Sequence, residues 1–261
     1  MELNEDFKRG AIESIISKIE KGEQRLSFSA LSRFMQSPEA FIQYKTQEYK
    51  RTPLMIAGAA AHCLALEGEE VFKQSYFNGR AKEGETRERL PPKQEETARK
   101  IAAKILRHPE IKALLEDPNT KTEIESTIEL EGFKFKRVLD IDSGGLIIDV
   151  KTGGKPKNSL SGRSWKYKVL DMNYDVQAAL YCAVFPTCSE NIAKIEELPE
   201  FRWLFATESE SLIFYADKSV LISGFNKITR ALNDWRRCRA LDAWDQGGEF
   251  SLSKEERTIY I

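Results

Sequence analysis

Residues 136–151 read Lys-Arg-Val-Leu-Asp-Ile-Asp-Ser-Gly-Gly-Leu-Ile-Ile-Asp-Val-Lys. Two apolar runs flank a turn, Asp142-Ser143-Gly144-Gly145, and acids stand where a core wants apolar groups. Side chains alternate along a strand, so Asp149 and Lys151 share one face while Leu146, Ile148 and Val150 share the other. A two- or four-residue loop pairs Ile141 with Leu146 and Asp140 with Ile147. Asp140 then lies diagonally across from Asp149, at a Cβ separation of roughly 6–8 Å. Two carboxylates at that spacing, with a lysine one step further on, make a seat for a hard divalent cation. The strand after the turn is apolar at nearly every position before Asp149, which predicts burial on both faces. An acid on such a strand is costly without a partner.

Working outward, residues 123–130 form a second hairpin with 133–141 across Glu131-Gly132. A two-residue turn pairs Leu130 with Phe133. Ile124, Ile128, Leu130, Phe133, Phe135, Leu139 and Ile141 then fall on one side. Glu123, Glu125, Glu129, Lys134, Lys136, Val138 and Asp140 fall on the other, in a register that a bulge would change.

Before this meander the sequence is mostly helical. Residues 1–25 are a charged lead-in, Ser29 and Ser37 suit N-caps, and Pro38 suits a first helical position. Gly58-Ala59-Ala60-Ala61 gives a small-residue helix face able to pack closely, with His62 projecting beside it. Residues 78–100 carry 12 charged residues in 23 and lead into a helix over 93–116. After the meander, residues 151–169 hold six basic residues and no acid: Lys151, Lys155, Lys157, Arg163, Lys166 and Lys168. A basic loop leaving a carboxylate cluster offsets acid–phosphate repulsion and predicts phosphate contact independent of base sequence. A helix over 171–185 sets Gln177 and Tyr181 on one face at i, i+4 spacing. A hairpin over 201–206 and 211–216 follows, then a helix over 218–245 with Leu221, Phe225, Ile228, Leu232 and Trp235 as its core stripe.

The 261 residues carry a net charge of −1, so any affinity for nucleic acid must be local. The chain starts without a signal-peptide pattern, and its longest apolar stretch, Leu54–Leu66, has 13 residues, too few to span a bilayer. A cytoplasmic protein without a membrane partner is expected. Cys63, Cys182, Cys188 and Cys238 have no C-x-x-C spacing and read as reduced, structural thiols. There is no P-loop, which excludes an ATP-driven motor within the chain.

Asp140 followed by Asp149-Val150-Lys151 resembles the PD-(D/E)xK nuclease motif, with Leu139 where the motif often has proline. The neighbouring segments resemble its phage and RecE/RecB-type exonuclease branch. Gly58-Ala-Ala-Ala-His62 is similar to the branch's Gly-x-x-x-His, Asp149-Val150-Lys151-Thr152 to its Asp-x-Lys-Thr, and Gln177-Ala-Ala-Leu-Tyr181 to its Gln-x-x-x-Tyr. Ser27-Phe-Ser-Ala-Leu31, Ser37-Pro38 and Phe41 resemble its opening helices, and His108-Pro109 with Leu114-Leu115 is similar to the RecE side. The set runs in the right order from Ser27 to Trp244.

The resemblance implies an α/β, restriction-endonuclease-like mixed sheet flanked by helices, with N-terminal helical additions. It implies one nuclease domain over 1–261: a mostly helical part over 1–120, a catalytic sheet with its helix over 121–216, and a C-terminal helix and tail over 217–261. Asp140, Asp149, the Val150 carbonyl, His62 and Glu125 would hold Mg²⁺ or Mn²⁺, two ions per site, with Glu123 a rival to Glu125 on the same polar face. Lys151 would orient or deprotonate the attacking water, or stabilise the transition-state charge. Gln177 and Tyr181 would position the substrate strand or the lysine. Lys155, Lys157, Arg163, Lys166 and Lys168 would contact DNA.

The implied function is a metal-dependent exonuclease of the phage recombination type, acting at ends of linear duplex DNA. A ring of subunits and a single-strand annealing protein as partner belong to the same implication. Two alternatives share the fold: a non-catalytic DNA-binding or structural module, and the nuclease subunit of a helicase–nuclease complex.

Overall fold

A computed structural model describes residues 5–47, 50–80, 84–153 and 169–244. In chain order its strands are β1 (Leu26–Ser27), β2 (Tyr76–Phe77), β3 (Glu88–Arg89), β4 (Lys121–Leu130), β5 (Phe133–Asp142), β6 (Leu146–Thr152), β7 (Glu200–Ala206) and β8 (Ser211–Ala216). The helices are α1 (Glu5–Glu20), α2 (Phe28–Gln36), α3 (Pro38–Thr46), α4 (Pro53–His62), α5 (Glu69–Ser75), α6 (Pro92–Arg107), α7 (Pro109–Glu116), α8 (Tyr174–Cys182), α9 (Cys188–Ala193) and α10 (Lys218–Leu241). The central sheet is mixed and runs β1-β5-β6-β7-β8, with β4 also paired to β5. β6 and β7 are parallel, whereas β4–β5, β5–β6 and β7–β8 are antiparallel. The architecture is the α/β one expected from the sequence, a mixed sheet between helical layers.

Both hairpins follow from their turn chemistry. Glu131 and Gly132 have φ of 54° and 81°, the positive pair a type I′ turn needs, and Leu130 faces Phe133. The second turn lies one residue further along the chain than the pattern suggested. Asp142 Oδ1 accepts from the Gly144 amide, Leu146 carbonyl accepts from the Ser143 amide, and Gly144 takes φ 82°. Ile141 therefore pairs with Ile148 and Asp142 with Ile147, two residues from the predicted register. A two-residue slip does not by itself carry a side chain to the other face.

The sheet is buried on both sides. Ile147, Phe135, Phe201, Trp203 and Phe205 pack with α1, α2, α3, α8 and α10. Ile141, Ile148, Val150 and Leu204 pack with α4, α6 and α7. Phe34, Phe41, Phe133, Trp235 and Trp244 form an aromatic cluster in the first of these layers, with ring centroids mostly 5–6 Å apart. Cys63 lies in the second layer; Cys182, Cys188 and Cys238 lie in the first, and none of the four forms a disulfide.

Helix ends obey their caps, with two departures from expectation. Ser37 accepts from the Ala40 amide ahead of Pro38, as predicted. Ser27, rather than Ser29, caps α2, because the chain passes directly from its bridge with β5 into the helix. The predicted 93–116 helix is two helices. Pro109 lacks an N–H and biases His108 to extended backbone (ψ 121°), so α6 ends and α7 begins there.

Two glycines permit close approach between elements. A Cβ on Gly58 would collide with Thr152 Oγ1, and one on Gly224 would collide with the Asp175 carbonyl oxygen. The first approach seats α4 on the end of β6; the second keys α10 into α8. Among the described residues no helix is long and apolar enough to cross a membrane. Lys155, Lys157, Arg163, Lys166 and Lys168 lie outside the described residues.

Candidate active site

The site forms where β4, β5 and β6 stop behaving as one regular ladder. β4 and β5 keep one register from Leu130–Phe133 to Lys121–Asp142, yet Glu123 has φ 53°, in the left-handed region. That conformation is uncommon for a non-glycine residue and turns the strand about its axis. Ile124 consequently packs in the layer of α8 and α10, while Thr122 bonds through its hydroxyl to the Leu66 carbonyl on the opposite side. Their partners follow: Leu139 joins the first layer and Ile141 the second. The expectation that Leu139 and Ile141 share a side fails here, because strict alternation holds only for unbroken extended backbone.

Asp140 sits at this switch and points along the sheet toward β6. The β5–β6 pairing has ended at Ile141–Ile148. Beyond it Asp140 Oδ2 takes the Val150 amide at 2.6 Å, in place of a backbone acceptor. His62 reaches the other side of the same peptide residue, with Nε2 2.6 Å from the Val150 carbonyl. A carbonyl only accepts, so Nε2 carries a proton. The ring nitrogens also lie 3.8 Å from Asp140 Oδ2 and 3.6 Å from Glu123 Oε1.

All three neighbours of the ring are acceptors. Burial opposes its charge, but Asp140, Glu123 and the Val150 carbonyl outweigh burial and push the His62 pKa up to about 9. Burial raises the Asp140 carboxyl to about 7, with Asp149 adding to the rise and His62 opposing it.

His62 holds this position through a local irregularity. α4 ends at His62 and passes into a π-helical turn, Cys63–Glu67, closed by the Gly68 amide on the Cys63 carbonyl. Such turns insert one residue into the helical repeat and re-aim the side chains beside it.

Asp149 and Lys151 project from the other face of β6 onto α8. Lys151 Nζ lies 2.7 Å from Asp149 Oδ2 and donates to Gln177 Oε1 at 2.7 Å. Gln177 Nε2 in turn donates to Asp149 Oδ1 at 2.8 Å. The amide thus bridges carboxylate and ammonium with both ends used. Burial disfavours the Lys151 charge, but Asp149 outweighs it and the pKa is raised. Tyr181 packs against Phe201 one helical turn on, and burial pushes its hydroxyl up to about 12, with Gln177 partly opposing.

The structure brings together Asp140, Asp149, Val150, Lys151, His62, Gln177 and Tyr181. It does not bring Glu125 to them. Glu125 is exposed and held by Arg25 at 2.7 Å and Lys136 at 2.5 Å. The glutamate beside His62 and Asp140 is Glu123, whose left-handed backbone carries it out of the strand's alternation. One ligand atom each from His62, Glu123 and Asp140 lies within 4.8 Å of the others, the one such cluster of three or more among the described residues. Two carboxylates and a nearby carbonyl are the oxygen donors Mg²⁺ or Mn²⁺ accepts, and the imidazole can complete the set for a transition-metal ion, so these residues fit a divalent ion. Sequence reasoning passed over Tyr174. Its ring centroid is 4.5 Å from Lys151 Nζ, and the signal was an aromatic residue one helical turn ahead of Gln177.

A family model described as "PDDEXK-like domain of unknown function (DUF3799)" matches residues 27–252. The crystal structure of a "Putative exonuclease" from Eubacterium rectale is similar in fold, with a TM-score of 0.57 and 16% identity, covering 100% of this chain and 95% of that one. The SSO0001 structure is matched more loosely, with a TM-score of 0.30 and 11% identity over 79% of this chain and 84% of that one. No curated protein matches the chain.

Proposed function

We propose, for a chain that belongs to the PDDEXK-like family, a metal-dependent exonuclease that hydrolyses phosphodiester bonds from the ends of linear duplex DNA. The observation that carries this reading is the convergence of Asp140, Asp149 and Lys151 with Glu123 and His62 around the Val150 peptide. Asp140, Glu123, His62, the Val150 carbonyl and Asp149 would hold Mg²⁺ or Mn²⁺, two ions by family resemblance. The bound ions would supply an activated water and charge neutralisation at the phosphate.

The chain's own residues account for the rest. Asp140 holds the Val150 amide, and the His62 ring holds the Val150 carbonyl. Gln177 holds the Asp149 carboxylate and the Lys151 ammonium at a set separation. Lys151, charged and half-buried, supports negative charge growing on the phosphate oxygens in a site partly shielded from water. Its raised pKa favours this role over that of a base. Lys155, Lys157, Arg163, Lys166 and Lys168 follow β6 in sequence and would hold the DNA backbone.

The reading extends to a phage recombination setting in the cytoplasm, with a ring of subunits and a single-strand annealing protein as partner. Light scattering on the purified protein checks the ring. The activity is tested by incubation with end-labelled linear and closed circular DNA, in Mg²⁺, in Mn²⁺ and in EDTA. Metal-dependent loss of label from linear DNA alone is the expected result. Nicking of the circle would replace exonuclease by endonuclease, and no cleavage in either metal would leave a binding module.

A further inference from the structure

We propose that Tyr174 is a positioning residue for Lys151, its ring face holding the lysine ammonium so that one N–H stays open toward the substrate phosphate. This rests on the nuclease reading above.

The argument starts from the donors of the ammonium. Lysine has three N–H groups and no acceptor. Gln177 Oε1 accepts one of them at 2.7 Å, and Asp149 Oδ2 faces the ammonium as an ion pair at the same distance. A further carboxylate or carbonyl would claim another donor. Among the described residues the remaining close neighbour is the Tyr174 ring, 4.5 Å from Nζ at its centroid. An aromatic face attracts a cation through its quadrupole, without a lone pair that must be met by a hydrogen. The ring therefore restrains the charge while leaving a donor for a phosphate oxygen.

The backbone arranges this contact. Asn173 adopts φ 54° and caps α8, its carbonyl accepting from both the Val176 and Gln177 amides. Tyr174 and Gln177 are thereby set one turn apart on the same face, both directed at Lys151. The ring is backed by Phe205, at 6.4 Å between centroids. Behind it the helix is fixed: buried Asp175 pairs with Lys227 at 2.8 Å and accepts from Ser223 at 2.9 Å, and Gly224 allows α10 to touch the Asp175 carbonyl. The ring's place is thus determined by Phe205 and by the anchoring of its helix on α10.

The test uses the full chain with Tyr174 replaced by Phe, Trp and Leu, with Met as a second non-aromatic variant should Leu not fold. Two measurements are made. The first is NMR of the Lys151 ε-methylene group in ¹³C-lysine-labelled protein, assigned by its absence in Lys151→Met. Ring-current displacement upfield is expected in the native, Phe and Trp proteins and not in Leu. The second is steady-state cleavage of linear DNA. Leu is expected to lower kcat about tenfold with KM little changed, the scale of a partly desolvated cation–π contact, while Phe retains most of kcat.

An equal loss in Phe and Leu would overturn the proposal by giving the role to the hydroxyl. So would native-like kcat in Leu, or a native Lys151 resonance without displacement. Absence of DNA cleavage by the native protein would sink the nuclease reading alone, because the NMR measurement still reports on the ring and the lysine.

Discussion

β6 and β4 deliver acids to the same candidate site by opposite means. β6 stays regular: Leu146 to Thr152 pair one for one with Glu200 to Ala206 of β7, and alternation carries Asp149 and Lys151 to one face. β4 reaches the site by breaking. Glu123 is left-handed, Thr122 and Ile124 go to opposite layers, and the Glu123 carboxylate arrives beside His62 because of that turn. The regular strand fixes its groups rigidly through a parallel ladder and burial on both faces. The broken strand stores backbone strain, and such strain persists only where the surrounding structure holds it.

The largest effects should come from the regular strand. Asp149→Ala and Lys151→Ala are each expected to lower cleavage by at least about a hundredfold while circular dichroism stays native, the scale of removing one preorganised charged group from a catalytic site. Asp140→Ala should match them, since it removes both a candidate metal ligand and the partner of the Val150 amide. Native-like rates in any of the three would break the link between this ladder and the chemistry.

The broken strand gives a smaller and more discriminating pair. Glu123→Ala should cost at least about tenfold in activity or metal affinity. Glu125→Ala should stay within about threefold, as for exposed ion pairs of this kind. The reverse order, measured by initial rates and by Mn²⁺ titration calorimetry, would restore the glutamate that strict alternation selects. Glu123→Gly sharpens the contrast, because glycine keeps φ positive without strain. It should lose metal affinity like alanine yet melt no earlier than the native protein.

The region between the two strands predicts a pH effect on the metal-free protein. Asp140 is held up at about 7 from 3.8, and His62 up at about 9 from 6.5. Both bind protons more tightly when folded, so each contributes stability at low pH that is lost as pH rises. The loss runs from 3.8 to about 7 for Asp140 and from 6.5 to about 9 for His62. Urea midpoints in EDTA should fall across these windows. Asp140→Asn should flatten the lower one and His62→Gln the upper one. A midpoint that rises through both would reverse the assigned signs.

The smallest expected change concerns the segment that follows β6. Lys155→Ala with Lys157→Ala should weaken DNA binding without sequence preference. The salt slope should become shallower by about 0.7–0.9 for each phosphate no longer neutralised. An unchanged slope would confine β6's role to the chemistry at Asp149 and Lys151.

What could be read from the residues follows the same division. Alternation and turn chemistry were enough for the β4–β5 hairpin at Leu130–Phe133, for the doubly buried β6, and for Asp149 and Lys151 on one face. They could not anticipate Glu123. A left-handed glutamate has no signature in composition or period, and the pattern favoured Glu125, which stands in regular strand and faces Arg25 and Lys136. The π turn after His62 is equally silent in sequence, since it changes backbone spacing without changing residue types. The β5–β6 register was missed because Asp142 closes the turn through its side chain and moves it one residue along, a choice open to aspartate but not demanded of it. Tyr174 was legible in principle, one turn before Gln177, but an aromatic residue at a helix start reads first as core.

The four buried thiols supply a clock for opening of the molecule. Cys63 belongs to the layer of α4 and α6, and Cys182, Cys188 and Cys238 to the layer of α8 and α10. Burial pushes the Cys63 and Cys188 thiols up to about 11 and Cys182 to about 12, so in the folded state they resist alkylation. Pulse labelling followed by mass spectrometry would then report the two layers separately. Equal rates mean that the sheet sheds both helical coats in one cooperative event. Faster modification of Cys63 means that the coat bearing His62 loosens first, and that the candidate active site is the less durable side of the protein.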